Sequence, residues 1–206
     1  MAYFEDLFTL LDEGWEPSEG EGFSYGENDS VKDWRVLKAE DNKIYAIANK
    51  VIGWQPFDEN GNNDWKSSSL RYWLNEEFAP EAFLSDPDEE TLEDTLLAMN
   101  ENGDWVSLLK YNEVEEYQDV LSELSRPSTM LRMQYEEEFE DWYEEGNLAY
   151  WLLPKDVQFT YVDVYNDSGI ITEADAEDDE YWQEKNDFSK PLGVRPTIII
   201  DLNKYL

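Results

Sequence analysis

Trp65-Lys66-Ser67-Ser68-Ser69-Leu70-Arg71-Tyr72-Trp73-Leu74-Asn75 is the stretch whose reading decides the fold. Ser67 is a suitable N-cap, because its hydroxyl can accept from an amide of the first helical turn that has no partner within the helix. Leu70, Trp73 and Leu74 recur at i, i+3 and i+4, and Phe78 falls eight after Leu70, so the pattern predicts a short helix with one aromatic and aliphatic face. That face has to be buried. Arg71 and Asn75 lie one turn apart beside it and are expected to bond neighbouring backbone while the stripe packs.

Working outward, apolar and β-branched runs at Trp34–Leu37 and Ile44–Ala48 flank the turn-forming residues 40–43, which predicts a hairpin. Residues 2–13 place Phe4, Leu7, Phe8 and Leu11 at helical spacing, with Gly14 to end the helix. Residues 14–30 have loop composition. In Asp58-Glu-Asn-Gly-Asn-Asn-Asp64 the glycine stands fourth and not sixth, so a solvated turn is expected and not a calcium loop.

Further on, Leu92, Leu96 and Leu97 suit a helix starting near Pro87, and Trp105–Leu109 a strand. Glu113–Leu124 suits a helix stopped before Pro127. Residues 131–145 read as a polarised helix, with Leu131, Tyr135, Phe139 and Trp142 along one side. Strands are expected at Tyr150–Leu153, Val157–Val164, Gly169–Thr172 and Val194–Leu202. Helices interleaved with hairpin-like strands give an α+β class. One domain is expected over 31–206, preceded by an N-terminal helix and acidic loop over 1–30.

Composition narrows the function. With 206 residues, nine Trp, thirteen Tyr and nine Phe, the chain can build a sizeable core. It has neither cysteine nor histidine, which excludes disulfides, a thiolate nucleophile, an imidazole base and a Cys/His zinc site. No metal, cofactor or catalytic residue is expected. No apolar run approaches the length of a membrane span, and no basic leader is present, so a soluble cytoplasmic protein is expected.

Charge is the unusual feature: 50 acidic against 15 basic residues, a formal net charge of −35. Over a surface of roughly 10,000 Å² this is about one net negative charge per 300 Å². Such a surface repels nucleic acid and anionic membranes and attracts basic proteins. Residues 1–31, 72–109, 133–154 and 156–184 contain no Lys or Arg and hold 37 of the 50 acids. A solvated face explains one such run. It explains four less well, because solubility alone needs a net charge of only about 2 to 8.

Two motifs carry a resemblance. Trp65, Ser68, Leu70, Arg71, Trp73, Leu74 and Asn75 form the pattern W-x-x-S-x-L-R-x-W-L-N, and Gly193-Val194-Arg195-Pro196 precedes an apolar strand. Over about residues 31–203 the chain resembles a family of uncharacterised bacterial and phage domains that share both. The closing G-V-R-P resembles the ending of C-type-lectin-like folds, and the resemblance implies that core of short antiparallel strands with flanking helices. The Glu-Pro-Asn and Trp-Asn-Asp motifs of calcium-dependent sugar binders are absent. The motif residues Trp65, Arg71, Trp73 and Arg195 are expected to be core anchors, with a ligand pocket lined by them as the alternative.

Carboxylates displayed on a rigid scaffold can occupy a Lys- and Arg-lined cleft built for DNA, which carries a charge about every 1.7 Å of axis. The expected partner-binding residues are Glu136, Glu137, Glu138, Glu140, Asp141, Trp142, Glu144 and Glu145, with Asp175, Glu177, Asp178, Asp179, Glu180, Tyr181 and Trp182. The aromatic members, together with Tyr135 and Tyr143, would supply anchors among the acids. The expected partner is a basic protein, a nucleic-acid-binding nuclease, because phage proteins that disable restriction or CRISPR nucleases often mimic nucleic acid. The alternatives are a C-type-lectin-like recognition module for a protein or glycan, and an enzyme using paired carboxylates. Salt adaptation and calcium binding at 175–180 are weaker explanations of the charge.

Overall fold

A computed structural model describes residues 4–27, 32–121, 128–135, 150–153, 161–164, 170–171 and 188–205. The elements in chain order are α1 (Leu7–Asp12), β1 (Gly22–Ser24), β2 (Asp33–Glu40), β3 (Lys43–Ala48) and β4 (Gly53–Pro56). A 3-10 turn (Trp65–Ser67) leads into α2 (Ser69–Tyr72), which continues through a π-helical segment (Trp73–Phe78) into α3 (Ala79–Phe83). A second 3-10 turn (Leu92–Asp94) precedes β5 (Leu97–Ala98), β6 (Val106–Leu108), α4 (Tyr111–Glu116), α5 (Gln118–Leu121) and α6 (Thr129–Gln134). Then come β7 (Tyr150–Trp151), β8 (Tyr161–Val164), β9 (Ile170–Ile171), β10 (Pro191–Val194) and β11 (Pro196–Asp201), and a last 3-10 turn (Leu202–Lys204).

The class is α+β, built on two sheets. The larger runs β1-β2-β3-β11-β5, with β6 also paired to β11, and the smaller runs β4-β10-β7-β8-β9. Among the described residues, all pairings between these strands are antiparallel except β10 with β7. The predicted hairpin is β2-β3, and its two turn residues, Asp41 and Asn42, adopt φ of 50° and 59°. Positive φ at both central positions is the turn geometry that matches strand twist, and Asp and Asn tolerate it better than most residues.

Local hairpins do not account for the rest. The last strand, β11, lies between β3 and β5, so the C-terminus is central to the larger sheet. The G-V-R-P motif marks where the chain leaves one sheet for the other: β10 pairs with β4, Arg195 follows, and β11 begins at Pro196 opposite Leu108. The N-terminal segment joins the same body, because β1 pairs with β2 and both Leu7 and Phe23 are fully buried in the main core.

The larger sheet is covered on both faces. Ile44, Ala46, Val106, Ile198 and Ile200 face the main core with Leu70, Leu74 and Phe78 of the central helix. Ile47, from the other side of β3, faces a second cluster with Val114, Leu121 and Leu131 of α4, α5 and α6. Each fully buried aliphatic or aromatic side chain is worth about 1.5 to 3 kcal/mol, so the stripe read from Leu70 to Phe78 is a main source of stability. A π turn accommodates more residues than an α turn, which suits the four-residue steps from Leu70 to Leu74 to Phe78. Trp73 is half-buried over Gly53, where an added Cβ would stand 3.0 Å from the indole.

Other expectations need correction. Ser68, not Ser67, caps the helix, accepting from the Arg71 amide at 3.1 Å. Ser67 donates instead to the Asp64 carboxylate at 2.6 Å. Residues 92–97 form no α-helix: Thr91 and Asp94 close a capping box around a single 3-10 turn, and Leu97 enters β5. Of the predicted helix over 113–124, the part up to Leu121 lies within the described residues and is two short pieces, α4 and α5, which meet at Tyr117. Of the predicted 131–145 helix, only the part up to Tyr135 lies within the described residues. Among the described residues, no helix is long and apolar enough to cross a membrane.

Candidate functional site

The central motif is a lock, and its keyhole is Asp104. This carboxylate is buried and accepts from the Trp65 indole at 2.8 Å and from Arg71 Nε at 2.6 Å. Asn75 completes the lock. Its Oδ1 accepts from the Trp105 and Val106 amides, and its Nδ2 donates to the Arg71 and Val106 carbonyls, so one side chain ties the helix to β6. Asp58 does similar work at the other end. Its Oδ1 accepts from the Asn60 and Asn62 amides and its Oδ2 from the Ser69 amide, so residues 58–64 are a turn organised by a buried carboxylate. Burial opposes its ionisation, but those backbone donors outweigh burial and hold its pKa below the ordinary value.

Depressed carboxylates set the acid limit. The Thr91 hydroxyl and amide lower Asp94, the Asp86 amide and Ser85 hydroxyl lower Glu90, and Ser18 lowers Glu21. A folded-state pKa below the unfolded one contributes stability that is present above the unfolded value, near pH 4, and lost as pH falls through the folded value. Above that window, protonation reduces net repulsion. The thermal midpoint is therefore expected to rise between pH 8 and about pH 5 and to fall steeply below about pH 3.5. A midpoint that falls steadily from pH 8 to pH 5 in calorimetry would contradict this.

Arg195 is 1% exposed. Its Nε donates to the Ala48 carbonyl at 2.8 Å, and its guanidinium stands 5.6 Å from the centre of the Tyr150 ring. Both terminal nitrogens and the Tyr150 hydroxyl are buried without a hydrogen-bond partner among the described residues. Burial raises the Tyr150 pKa, partly offset by Arg195, so the phenol stays neutral. Removing an unbonded buried hydroxyl removes only a desolvation cost. Tyr150→Phe is expected to leave stability unchanged or raise it by up to about 1 kcal/mol; a loss of more than about 1 kcal/mol in denaturant titration would show that the hydroxyl is bonded.

On the second face of the larger sheet lies a cavity of about 400 Å³, within the size range of small-molecule sites. Tyr45 of β3, Thr197 and Ile199 of β11 and Ser107 of β6 form its floor, because they share one face in the strand register. Its walls are α4 with Glu113 and Glu116, Tyr117 just after that helix, and the loop from Asn100 to Trp105. Glu113 Oε2 accepts from the Lys110 amide at 2.8 Å and from the Tyr45 hydroxyl at 3.0 Å. Burial, then the Glu113 charge, pushes Tyr45 well up, so it acts as a donor and not as a base.

The two lysines at the cavity are occupied: Lys110 pairs with Glu101, and Lys38 with Glu40 at 2.8 Å. Ser107 Oγ is buried and makes no hydrogen bond among the described residues. Among the described residues, no base stands within hydrogen-bond reach of it. Among the described residues, no group of three carboxylates is placed to hold a metal ion.

The residues expected to meet a partner, Glu136–Glu145 and Asp175–Trp182, lie outside the described residues. Tyr135, read as an anchor among acids, packs half-buried against the second core cluster. Within the described residues, exposed carboxylates crowd one limb, with Glu76, Glu77 and Glu81 on the helix and Asp86, Asp88, Glu89, Glu90, Glu93 and Asp94 on the loop after it. The cavity escaped sequence reading because its residues are spread from Lys38 to Ile199. No family model matches the chain, and no curated protein or solved structure is matched by it.

Proposed function

We propose that the protein is a non-catalytic acidic binding protein that occupies the nucleic-acid cleft of a basic partner, a host-defence nuclease of the restriction or CRISPR type, in the cytoplasm of the host cell. The observation that carries this reading is the limb from Glu76 to Asp94. Its carboxylates project from a helix and loop fixed to the core, and Glu90 and Asp94 are held in place by hydrogen bonds to Ser85 and Thr91. Pre-positioned negative charge is what a cleft built for phosphates recognises. The sequence stretches 136–145 and 175–182, which lie outside the described residues, carry the same kind of charge.

The test is inhibition of DNA binding and cleavage across a panel of restriction and CRISPR effectors. Neutralising the carboxylates of 136–145 and 175–182 to Asn and Gln is expected to abolish inhibition of the effector concerned while leaving the fold intact. Inhibition that survives both sets would remove those stretches from the contact.

A second reading is a C-type-lectin-like recognition module for a protein or glycan. The G-V-R-P ending, which resembles that fold, and the polar cavity beside α4 favour it. In that case ligand binding would depend on cavity residues and be indifferent to charge at 136–145.

A further inference from the structure

We infer that the cavity beside α4 binds a guanidinium or alkylammonium group, namely an arginine or lysine side chain presented by the basic partner. This deepens the function proposed above and rests on it for the source of that side chain. The two lysines are already neutralised by Glu101 and Glu40, so Glu113 and Glu116 leave the cavity with surplus negative charge. Glu113 spends one oxygen, Oε2, on the Lys110 amide and the Tyr45 hydroxyl.

A second observation is independent of the acids. Ser107, 5% exposed, lines the same cavity, and its hydroxyl oxygen is buried without a partner. A group rich in N–H donors answers both the unpartnered hydroxyl oxygen and the surplus carboxylate charge beside it. The rings reinforce the choice of charge. Tyr45 and Tyr117 meet edge to face with centroids 6.3 Å apart, and such π faces attract organic cations. An anion would meet the Glu113 and Glu116 carboxylates, and a neutral sugar would leave that charge unanswered. Arginine suits the site better than lysine, because its planar fork offers several N–H donors while lying against a ring.

The test follows amide and side-chain resonances of the full chain by NMR at about 0.2 M salt, where diffuse surface attraction is screened. The probes are N-acetyl-arginine amide, N-acetyl-lysine amide, agmatine and the uncharged isostere N-acetyl-citrulline amide. Arginine amide is expected to perturb Tyr45, Ser107, Tyr117 and Thr197 selectively, and citrulline amide to bind at least tenfold more weakly. Glu116→Gln, at an exposed position, and Ser107→Ala are each expected to weaken arginine amide several-fold without unfolding the chain.

Equal binding of citrulline amide would overturn the inference, and so would perturbations spread evenly over the acidic surface. Binding of agmatine with exclusion of the blocked arginine would overturn the assignment to a side chain in favour of a free amine. These outcomes are independent of nuclease inhibition: an inhibitory protein with an inert cavity refutes this inference alone, and an arginine-binding protein that inhibits no effector refutes the function alone.

Discussion

Asp104→Ala is expected to destabilise the protein by about 3 kcal/mol, near the lower end for breaking a buried ion pair because Arg71 keeps a third of its side chain in solvent. The change strands two donors at once. The Trp65 indole loses its acceptor inside the core, and Arg71 loses its counter-charge. Asp104→Asn separates the two contributions, since an amide oxygen can still accept one bond but brings no charge. It should recover part of the loss, on the order of 1 kcal/mol. Urea titration reads both variants. A loss under about 1 kcal/mol for the alanine variant would mean that the lock is decorative, and that the apolar stripe alone fixes the helix.

Asn75→Ala is the second large effect, with an expected loss of about 2 to 4 kcal/mol, because its four hydrogen bonds all go to backbone. Two of them serve the Trp105 and Val106 amides at the start of β6, and no shorter side chain reaches both. Asn75→Asp tests the mechanism. Its oxygen still accepts from the two amides, but it can no longer donate to the Arg71 and Val106 carbonyls and places a charge against them. The loss should match or exceed that of alanine. Hydrogen exchange at Trp105 and Val106 should accelerate in Asn75→Ala before exchange in β3 does. Uniform acceleration would indicate that β6 does not depend on Asn75 in particular.

Legibility in the sequence followed the range of the interaction. The helix stripe is local and repeats within two turns, so Leu70, Leu74 and Phe78 could be placed from spacing alone. The hairpin turn at Asp41-Asn42 was likewise local. The cap was read at Ser67 and lies at Ser68, because Ser67 ends the preceding 3-10 turn and spends its hydroxyl on the Asp64 carboxylate. Asp104 lies 33 residues from Arg71, and nothing near it announces a partner. A signal was nevertheless present: Trp65 and Arg71, six residues apart in one motif, both carry N–H donors that need an acceptor, and Asp104 directly precedes the predicted strand Trp105–Leu109.

The misread segment at 92–97 shows the opposite failure. Leu92, Leu96 and Leu97 have helical spacing, yet Thr91 and Asp94 hydrogen-bond each other and close the turn after three residues. Leu97 is then drawn into pairing with Ile200 of β11. Local propensity was overridden by a strand that arrives a hundred residues later in the chain. The cavity had the same origin, since only the return of β11 between β3 and β6 brings Thr197 beside Ser107.

The central claim is that surplus negative charge on this scaffold competes with DNA for a basic cleft, and the most direct measurement is displacement. Fluorescently labelled DNA is bound to each member of a panel of restriction and CRISPR effectors, and the protein is titrated in at several salt concentrations. For its cognate effector the account predicts full release of the DNA. It also predicts an apparent affinity that falls linearly, on logarithmic axes, as salt rises, because the contact is dominated by released counterions. Retention of DNA by every effector down to about 50 mM salt, or release that ignores salt, would contradict it.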